Sequence, residues 1–323
     1  MKQKLILISG TSNPQLASDI AKNLNVELTP TTIKKFNDGE TYVRINESVR
    51  GSSVFVIQST STPVNDNLME LLITIDALKR ASAKEITAVI PYYGYSRQDR
   101  KSTSREPITA KLVASMIETA GADRVVAVDL HVDQIQGFFN VPSDNLTAIP
   151  ILAKAIADKK LKNIVVVAPD AGSATRVRRL ADLLLVDLAI INKRRQAHGE
   201  SKVMELIGDV KNKNAILLDD MIDTGGTIAN AAAKLKKQGA KDVYICATHA
   251  IFSKDAIKKL DSKYVKEVLV TDTIKLPKSK QIPKIKVVSM APFISELINC
   301  IFQGNPMGAV VEEKYNSVRK INY

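Results

Sequence analysis

The sequence has no tryptophan, two cysteines, three histidines and an aromatic content of only 5%. Little is therefore available to stack on nucleobases, and although the net charge is +12, the Lys and Arg residues are dispersed rather than gathered into a patch. Such an excess suits polyphosphate substrates better than nucleic acid, with part of it carried by solvated lysines on helices. Cys246 and Cys300 cannot build a disulfide framework, so reduced thiols and a cytoplasmic location are expected. No apolar run approaches the length of a membrane span, which excludes a membrane partner of that kind. The opening Met1-Lys-Gln-Lys-Leu-Ile-Leu-Ile-Ser-Gly10 has too short an apolar segment for a signal peptide and reads as a first strand. A Walker-type Gly-rich loop, a dinucleotide fingerprint and low-complexity segments are also missing. Any ATP site must be built another way.

What is present is a regular alternation of strand-like and helix-like segments over 323 residues, 45% of them apolar, enough for two domains of ordinary size. Leu5–Ser9 reads as a strand, and Pro14–Leu24 as a helix capped by Asn13. Thr41–Ile45 alternates as an exposed strand does, while Ser53–Gln58 and Glu85–Pro91 read as more buried strands around an apolar helix at Asn67–Lys79. Ala81-Ser-Ala-Lys-Glu-Ile-Thr-Ala-Val-Ile, Ala120-Gly-Ala-Asp-Arg-Val-Val-Ala-Val-Asp and Gln238-Gly-Ala-Lys-Asp-Val-Tyr-Ile-Cys-Ala each end a helix on small residues and enter a buried strand. That is the βαβ rhythm of a mostly parallel sheet flanked by helices, and its presence in both halves predicts an α/β fold of two similar domains. The turn-forming stretch Val141–Pro150 marks the boundary, giving domains at 1–146 and 147–323. The Lys-rich stretch Ile274–Lys286 reads as a surface loop before a last strand and a helix at Phe293–Phe302.

Five stretches carry chemistry. Ala215-Ile-Leu-Leu-Asp-Asp-Met-Ile-Asp-Thr-Gly-Gly-Thr227 is a buried strand ending in Asp219 and Asp220, followed by a turn (Asp223, Thr224, Gly225, Gly226, Thr227) and a helix start. Glycines admit close backbone approach, and the hydroxyls and first helical N–H groups suit a phosphate monoester. The two carboxylates suit sugar hydroxyls or a metal. Ile164-Val-Val-Val-Ala-Pro-Asp-Ala-Gly-Ser-Ala-Thr-Arg176 is a second strand entering a small-residue turn, Asp170 to Gly172, that admits a diphosphate close to the backbone, with Arg176 able to neutralise it. Ile190-Ile-Asn-Lys-Arg-Arg195 sets Lys193 and Arg195 two apart in an extended segment, on one side, where two cations grip one polyphosphate or simply form an exposed basic turn. Phe36-Asn-Asp-Gly-Glu40 taken alone is a hairpin turn with one exposed aromatic, and Arg97–Arg105 a mobile cationic loop. His131, two residues after Asp129 at a strand end, reads alone as structural; His198 and His249 show no ligand spacing.

The 219–227 stretch resembles the 5-phosphoribosyl-1-diphosphate (PRPP) motif shared by phosphoribosyltransferases and ribose-phosphate diphosphokinases. Tyr95-Ser-Arg-Gln-Asp-Arg-Lys101 and Arg105-Glu-Pro-Ile-Thr-Ala-Lys-Leu-Val-Ala114 resemble, nearly residue for residue, the ATP-binding and flexible-loop segments of the diphosphokinases, which phosphoribosyltransferases do not share. The resemblance covers roughly residues 1–303 and implies two phosphoribosyltransferase-like domains and the phosphate-activated, Mg-dependent class. It further implies that Phe36, Asp38 and Glu40 bind the adenine of ATP, with Arg97, Gln98, Asp99, Arg100 and His131 completing the ATP side. His131 and Asp170 become Mg2+ ligands among phosphate oxygens. Lys193 and Arg195 become the catalytic pair, Asp219 and Asp220 orient the ribose, Asp223 to Thr227 hold the 5-phosphate, and the 98–106 loop closes over the reaction.

The implied activity is transfer of the β,γ-diphosphoryl group of MgATP to O1 of ribose 5-phosphate, for nucleotide biosynthesis. The rival readings are a phosphoribosyltransferase, which needs none of the ATP-side segments, and a silent regulatory subunit, which normally loses the flexible loop and metal ligands. Self-association follows from an adenine site completed by a neighbour, in the family usually as a hexamer built from dimers. Three places depart from the family pattern: Ser173 stands where Gly is usual, Thr175 where Lys is common, and the segment after Phe302 lacks the usual Ser-containing ending.

Overall fold

The fold is known from a computed structural model, which describes residues 4–194 and 203–320. It divides into two units: the first holds Met1–Thr147, Thr273–Lys275 and Ser289–Met307, the second Ala148–Asp272, Leu276–Val288 and Gly308–Tyr323.

In the first unit β1 (Leu5–Ser9) runs into α1 (Pro14–Asn23), whose start is set by Asn13 accepting from Leu16 N at 3.4 Å and by Pro14 at the first turn. A hairpin of β2 (Thr31–Lys35) and β3 (Thr41–Ile45) follows, then β4 (Ser53–Ile57), α2 (Val64–Arg80), β5 (Glu85–Ile90), α3 (Thr109–Ala120), β6 (Arg124–Val128) and β7 (Ser143–Leu146). The five-stranded sheet has the order β1-β4-β5-β6-β7, every pair parallel. A parallel sheet is covered on both faces, so its strands need continuous apolar runs rather than alternation. Val54, Val56, Ile86, Ala88, Val125 and Ala127 are buried accordingly, against Leu71, Ile75 and Leu78 of α2 and Val113 and Ile117 of α3. Each such aliphatic side chain taken from water contributes roughly 1.5–3 kcal/mol.

The second unit begins with α4 (Ile149–Ala157), β8 (Ile164–Ala168), α5 (Ala174–Leu184), β9 (Asp187–Arg194) and β10 (Val203–Ile207). It continues through β11 (Asn214–Ile222), α6 (Gly226–Lys237), β12 (Asp242–Ala250), α7 (Ala256–Leu260), β13 (Glu267–Thr271) and β14 (Ile285–Val288). The sheet order is β10-β9-β8-β11-β12-β13-β14, parallel except for the antiparallel β9–β10 pair. After β8 the chain builds leftward through β9 and β10, then crosses back to place β11 on the other side of β8. The β8–β11 boundary is thus a topological switch point, where two successive strand ends open away from each other and leave a crevice for ligands.

Two further helices close the chain, α8 (Ala291–Gln303) and α9 (Met307–Arg319). Here the structure differs from the division at 146/147, which leaves all later residues in one domain. Helix α8 belongs to the first unit, where Ser295 Oγ donates to Ile20 O of α1 at 3.3 Å and Phe293, Ile294, Leu297 and Ile298 are buried. The turn-rich stretch 141–150 also contains β7, in parallel register with β6. The expected surface loop 274–286 is partly inside: Ile274 is buried, and Leu276 and Ile282 pack on the second core. Among the described residues, no helix is long and apolar enough to cross a membrane.

Candidate active site

The second unit brings two of the predicted stretches to its switch point. Strand β8 ends at Ala168, and Asp170 follows in an extended conformation, φ −162° and ψ 175°. Its Oδ1 accepts from Ser173 N at 3.2 Å and from Ser173 Oγ at 3.1 Å, closing a short 3-10 turn at Ala171–Ser173. Ser173 is the residue that stands where the resembled family usually has Gly, and its hydroxyl is engaged in this turn. Gly172 is exposed on it, and Arg176 lies in the first turn of α5.

Strand β11 carries Asp219 and Asp220 at its far end because Ala215, Ile216, Leu217 and Leu218 are wholly buried between the covering helices. The two acids interact directly, Asp219 Oδ1 accepting from Asp220 N at 2.9 Å with their carboxyls within hydrogen-bonding reach. Asp220 is buried and pairs with Arg176, Oδ1 to Nη1 at 3.6 Å. Burial, then the charge of Asp220 and more weakly that of Asp170, push the Asp219 carboxyl up to about 8. This crowd of carboxylates at one strand end is an environment that a divalent cation relieves. Among the described residues no cluster of three or more His, Cys, Asp or Glu forms a metal site. Asp170, Asp219 and Asp220 offer carboxylate oxygens, the donor type a hard divalent cation takes.

Beyond β11, Asp223 Oδ1 accepts a short hydrogen bond from Ser253 Oγ, and Thr224 O accepts from Lys259 Nζ at 3.0 Å. Gly225 caps α6 in the left-handed region, φ 68°, where a side chain is strained, and a Cβ there would stand 3.4 Å from Ala256. Gly226 and Thr227 open the helix. Their N–H groups have no intrahelical acceptor, and the helix dipole adds positive potential, which together make an anion seat. No acidic residue occupies the first turn to compete for it.

The basic pair is only partly placed. Lys193 lies near the end of β9, in register with Met204 of β10. Arg195 and His198 lie outside the described residues.

In the first unit Phe36, Asp38 and Glu40 form the β2–β3 hairpin turn. Phe36 N donates to Glu40 O at 2.8 Å, and Asp38 Oδ1 accepts from Glu40 N at 3.1 Å. Phe36 is 51% exposed, edge-on to Tyr42 with centroids 5.8 Å apart. Lys35 Nζ reaches Asp66 Oδ2 of α2 at 2.8 Å and ties the hairpin to the sheet-covering helix. The 91–109 segment leaves β5 through buried Tyr92 and Tyr93. At Gly94 a Cβ would stand 2.5 Å from Thr60 O, so only glycine lets the two strand ends approach. Arg97 and Gln98 then line an open groove of about 510 Å³ with Asn65, Asp66, Gly94 and Tyr95. Gln98 also fixes the loop's return, its carbonyl accepting from Ala110 N at 3.1 Å and its side chain from Thr109 Oγ1. Asp99 is half-buried and Arg100 exposed; Glu106 Oε2 accepts from Ser102 N at 2.7 Å and Thr103 N at 2.9 Å, giving the 98–106 loop internal order. His131 follows β6 half-buried, beyond Asp129, which is held at φ 39° with its N–H on Leu146 O at 2.7 Å.

Sequence reading missed Asn65 and Asp66 in the groove, and Ser253 and Lys259 at the Asp223–Thr227 turn. Nothing local marks them, since each reaches its site from a separate element about 30 residues or more away.

Residues 5–121 match the N-terminal domain of ribose phosphate pyrophosphokinase, and residues 194–312 match the phosphoribosyl synthetase-associated domain. The chain is 58% identical to the ribose-phosphate pyrophosphokinase of Caldanaerobacter subterraneus, over 93% of this chain and 95% of that one. Against the ribose-phosphate pyrophosphokinase of Clostridium tetani the identity is 53%, over 94% and 95%. The crystal structure of phosphoribosylpyrophosphate synthetase from Mycobacterium smegmatis superposes with a TM-score of 0.89 at 47% identity, covering 94% of this chain and all (100%) of that one. The chain belongs to the ribose-phosphate pyrophosphokinase family.

Proposed function

We propose that the protein transfers the β,γ-diphosphoryl group of ATP to O1 of ribose 5-phosphate, releasing PRPP and AMP. Family membership and the ATP-side segments 95–101 and 105–114 favour this reading over a phosphoribosyltransferase, and the observation that carries its sugar-phosphate end is the switch point of the second unit. There an anion-ready turn, two strand-end carboxylates and a second small-residue turn with an arginine converge within one unit. A phosphorylated sugar needs the first two, and a diphosphate needs the third.

In this reading Asp223 to Thr227 seat the 5-phosphate on the N-terminus of α6, and Asp219 and Asp220 orient the ribose hydroxyls. Asp170, Gly172 and Arg176 receive the diphosphoryl group being moved. On the ATP side, Phe36 stacks on adenine while Asp38 and Glu40 accept its amino hydrogens. Arg97 and Arg100 bring cations to the phosphates from the groove and its rim, and Gln98 and Asp99 complete the ATP side. The O1 hydroxyl attacks the β-phosphorus in line and gives up its proton to water, the bond from that phosphorus to the α-phosphate oxygen breaks, and AMP departs with the electron pair. No side chain forms a covalent bond, so catalysis is positioning and charge neutralisation. Lys193 and Arg195 stabilise the charge that develops on the transferred group. His131 and Asp170 are each proposed to ligate Mg2+ alongside phosphate oxygens; bound there, the ion neutralises phosphate charge. The 98–106 loop closes to keep water from the reaction. The half-exposed Phe36 at a hairpin tip suits an adenine site shared with a neighbouring copy, in keeping with a hexamer built from dimers in the cytoplasm.

The test is direct: incubate the protein with MgATP and ribose 5-phosphate and quantify AMP with and without the sugar. Absence of sugar-dependent AMP would sink the reading.

A further inference from the structure

The turn that begins α6 is held from behind by the segment between β12 and α7. Phe252 N donates to Ile222 O at 2.9 Å, and Ser253 N to Asp223 O at 3.0 Å. Ser253 Oγ takes the Asp223 carboxylate, and Lys259 Nζ takes Thr224 O at 3.0 Å. Ala256, the first residue of α7, lies under Gly225, and a Cβ built on Gly226 would stand 3.9 Å from Lys259 Nζ. Three consecutive residues of the turn, from Ile222 to Thr224, thus give their carbonyl oxygens to this bracket.

The chemistry of that arrangement is specific. A carbonyl oxygen facing a bound phosphate repels it, and a peptide that directs its oxygen to a rear ammonium presents its N–H side forward. Lys259 Nζ also brings a positive charge beside the first residue of α6, whose N-terminus is already positive and carries no acidic residue in its first turn. Placing a cation there costs stability in the absence of an anion and strengthens the binding of one. The hydrogen bond to Thr224 O offsets part of that cost, and an anion in the seat offsets the rest.

We propose that Lys259 is a positioning residue for the 5-phosphate: it holds the Thr224 carbonyl away from the anion and adds charge behind the seat, with Ser253 fixing Asp223 in the same frame. This rests on the ribose 5-phosphate reading of the turn. Lys259→Met removes both the donor and the charge, while Lys259→Arg keeps both. With full-length protein, Lys259→Met is expected to raise the KM for ribose 5-phosphate about tenfold, with kcat and the KM for ATP within about twofold of wild type. Lys259→Arg is expected to stay within about twofold throughout. Ser253→Ala, which leaves the lysine in place, is expected to raise the same KM and leave that for ATP unchanged, and it serves where Lys259→Met does not fold. An unchanged ribose 5-phosphate KM in Lys259→Met, equal impairment in Lys259→Arg, or a parallel rise in the ATP KM overturns the proposal. A wild-type protein without sugar-dependent AMP refutes the activity itself; a wild-type protein with it and an unaffected Lys259→Met refutes only the role of Lys259.

Discussion

Arg176 Nη1 stands 3.6 Å from Asp220 Oδ1, with the arginine side chain 19% and the aspartate side chain 5% exposed. The pair ties the first turn of α5 to the end of β11, across the switch point between β8 and β11. Removing the cation leaves Asp220 largely dry and short of charge. Arg176→Met is therefore expected to lower unfolding stability by about 2 kcal/mol, short of the ~3–5 kcal/mol for a wholly buried pair because water still reaches the guanidinium. Asp220→Asn in the same background removes the stranded charge and should recover part of the loss. Urea unfolding of wild type, Arg176→Met and the double variant measures this, and a double variant no more stable than Arg176→Met would refute the pairing.

Asp219 makes stability depend on pH. Burial first, then Asp220 and Asp170, raise its carboxyl from 3.8 to about 8. The folded protein therefore holds this proton more tightly than the unfolded chain does. Its contribution to stability is full below pH 3.8, declines as pH rises through the window, and is lost above about 8. Asp219→Asn keeps the shape and has no proton to lose. Without Mg2+ or phosphate ligands, the melting temperature of Asp219→Asn should gain on wild type from pH 6 to pH 9, as the linkage of proton binding to folding requires. Parallel curves would show that the carboxylate is not held neutral.

Lys193 occupies β9 opposite Met204, and its proposed task is to meet charge that exists only in the transition state. Lys193→Ala should accordingly lower kcat by about 10²–10³, as loss of one preorganised donor does, and leave both KM values nearly unchanged. The far-ultraviolet circular dichroism should match wild type. Retention of more than about a tenth of kcat would remove Lys193 from the mechanism.

How far the sequence shows this site depends on whether the chemistry is contiguous. The β11–α6 junction was readable because four buried apolar residues, two acids and a Thr-Gly-Gly-Thr turn follow one another along the chain. The strand forms from its apolar run, and the residues past its end then fall at the C-terminal end of the sheet without further instruction. Phe36–Glu40 supports both of its readings with one geometry, since a hairpin turn is what presents the ring. What depends on distant packing was not readable. Helix α8 returns to α1 through Ser295 and Ile20, 275 residues apart, because its apolar face fits that surface, and no composition shift marks the return. Strand β7 hides in a turn-rich stretch because an edge strand of four residues needs little apolar character. Ser253 and Lys259 lie 30 and 35 residues beyond their partners, the first in a solvated-looking Ser-Lys-Asp turn and the second among the lysines of the short helix α7.

Phe36 supplies a test that separates the two substrates. Its ring is 51% exposed and meets Tyr42 only edge-on, so Phe36→Ala removes little core. The loss of that aromatic contact is expected to cost about 0.5–1.5 kcal/mol at most. Stacking on a base contributes about 1–3 kcal/mol, and the lower half of that range corresponds to a rise of roughly tenfold in the KM for ATP. Phe36→Tyr retains a stacking face and should stay near wild type. The KM for ribose 5-phosphate should not move, because that sugar has no aromatic face to stack. Steady-state kinetics with each substrate varied in turn decide the matter. If the two KM values rise together, Phe36 acts by holding the hairpin, with Lys35 and Asp66 as its anchor. If neither rises, adenine is bound elsewhere.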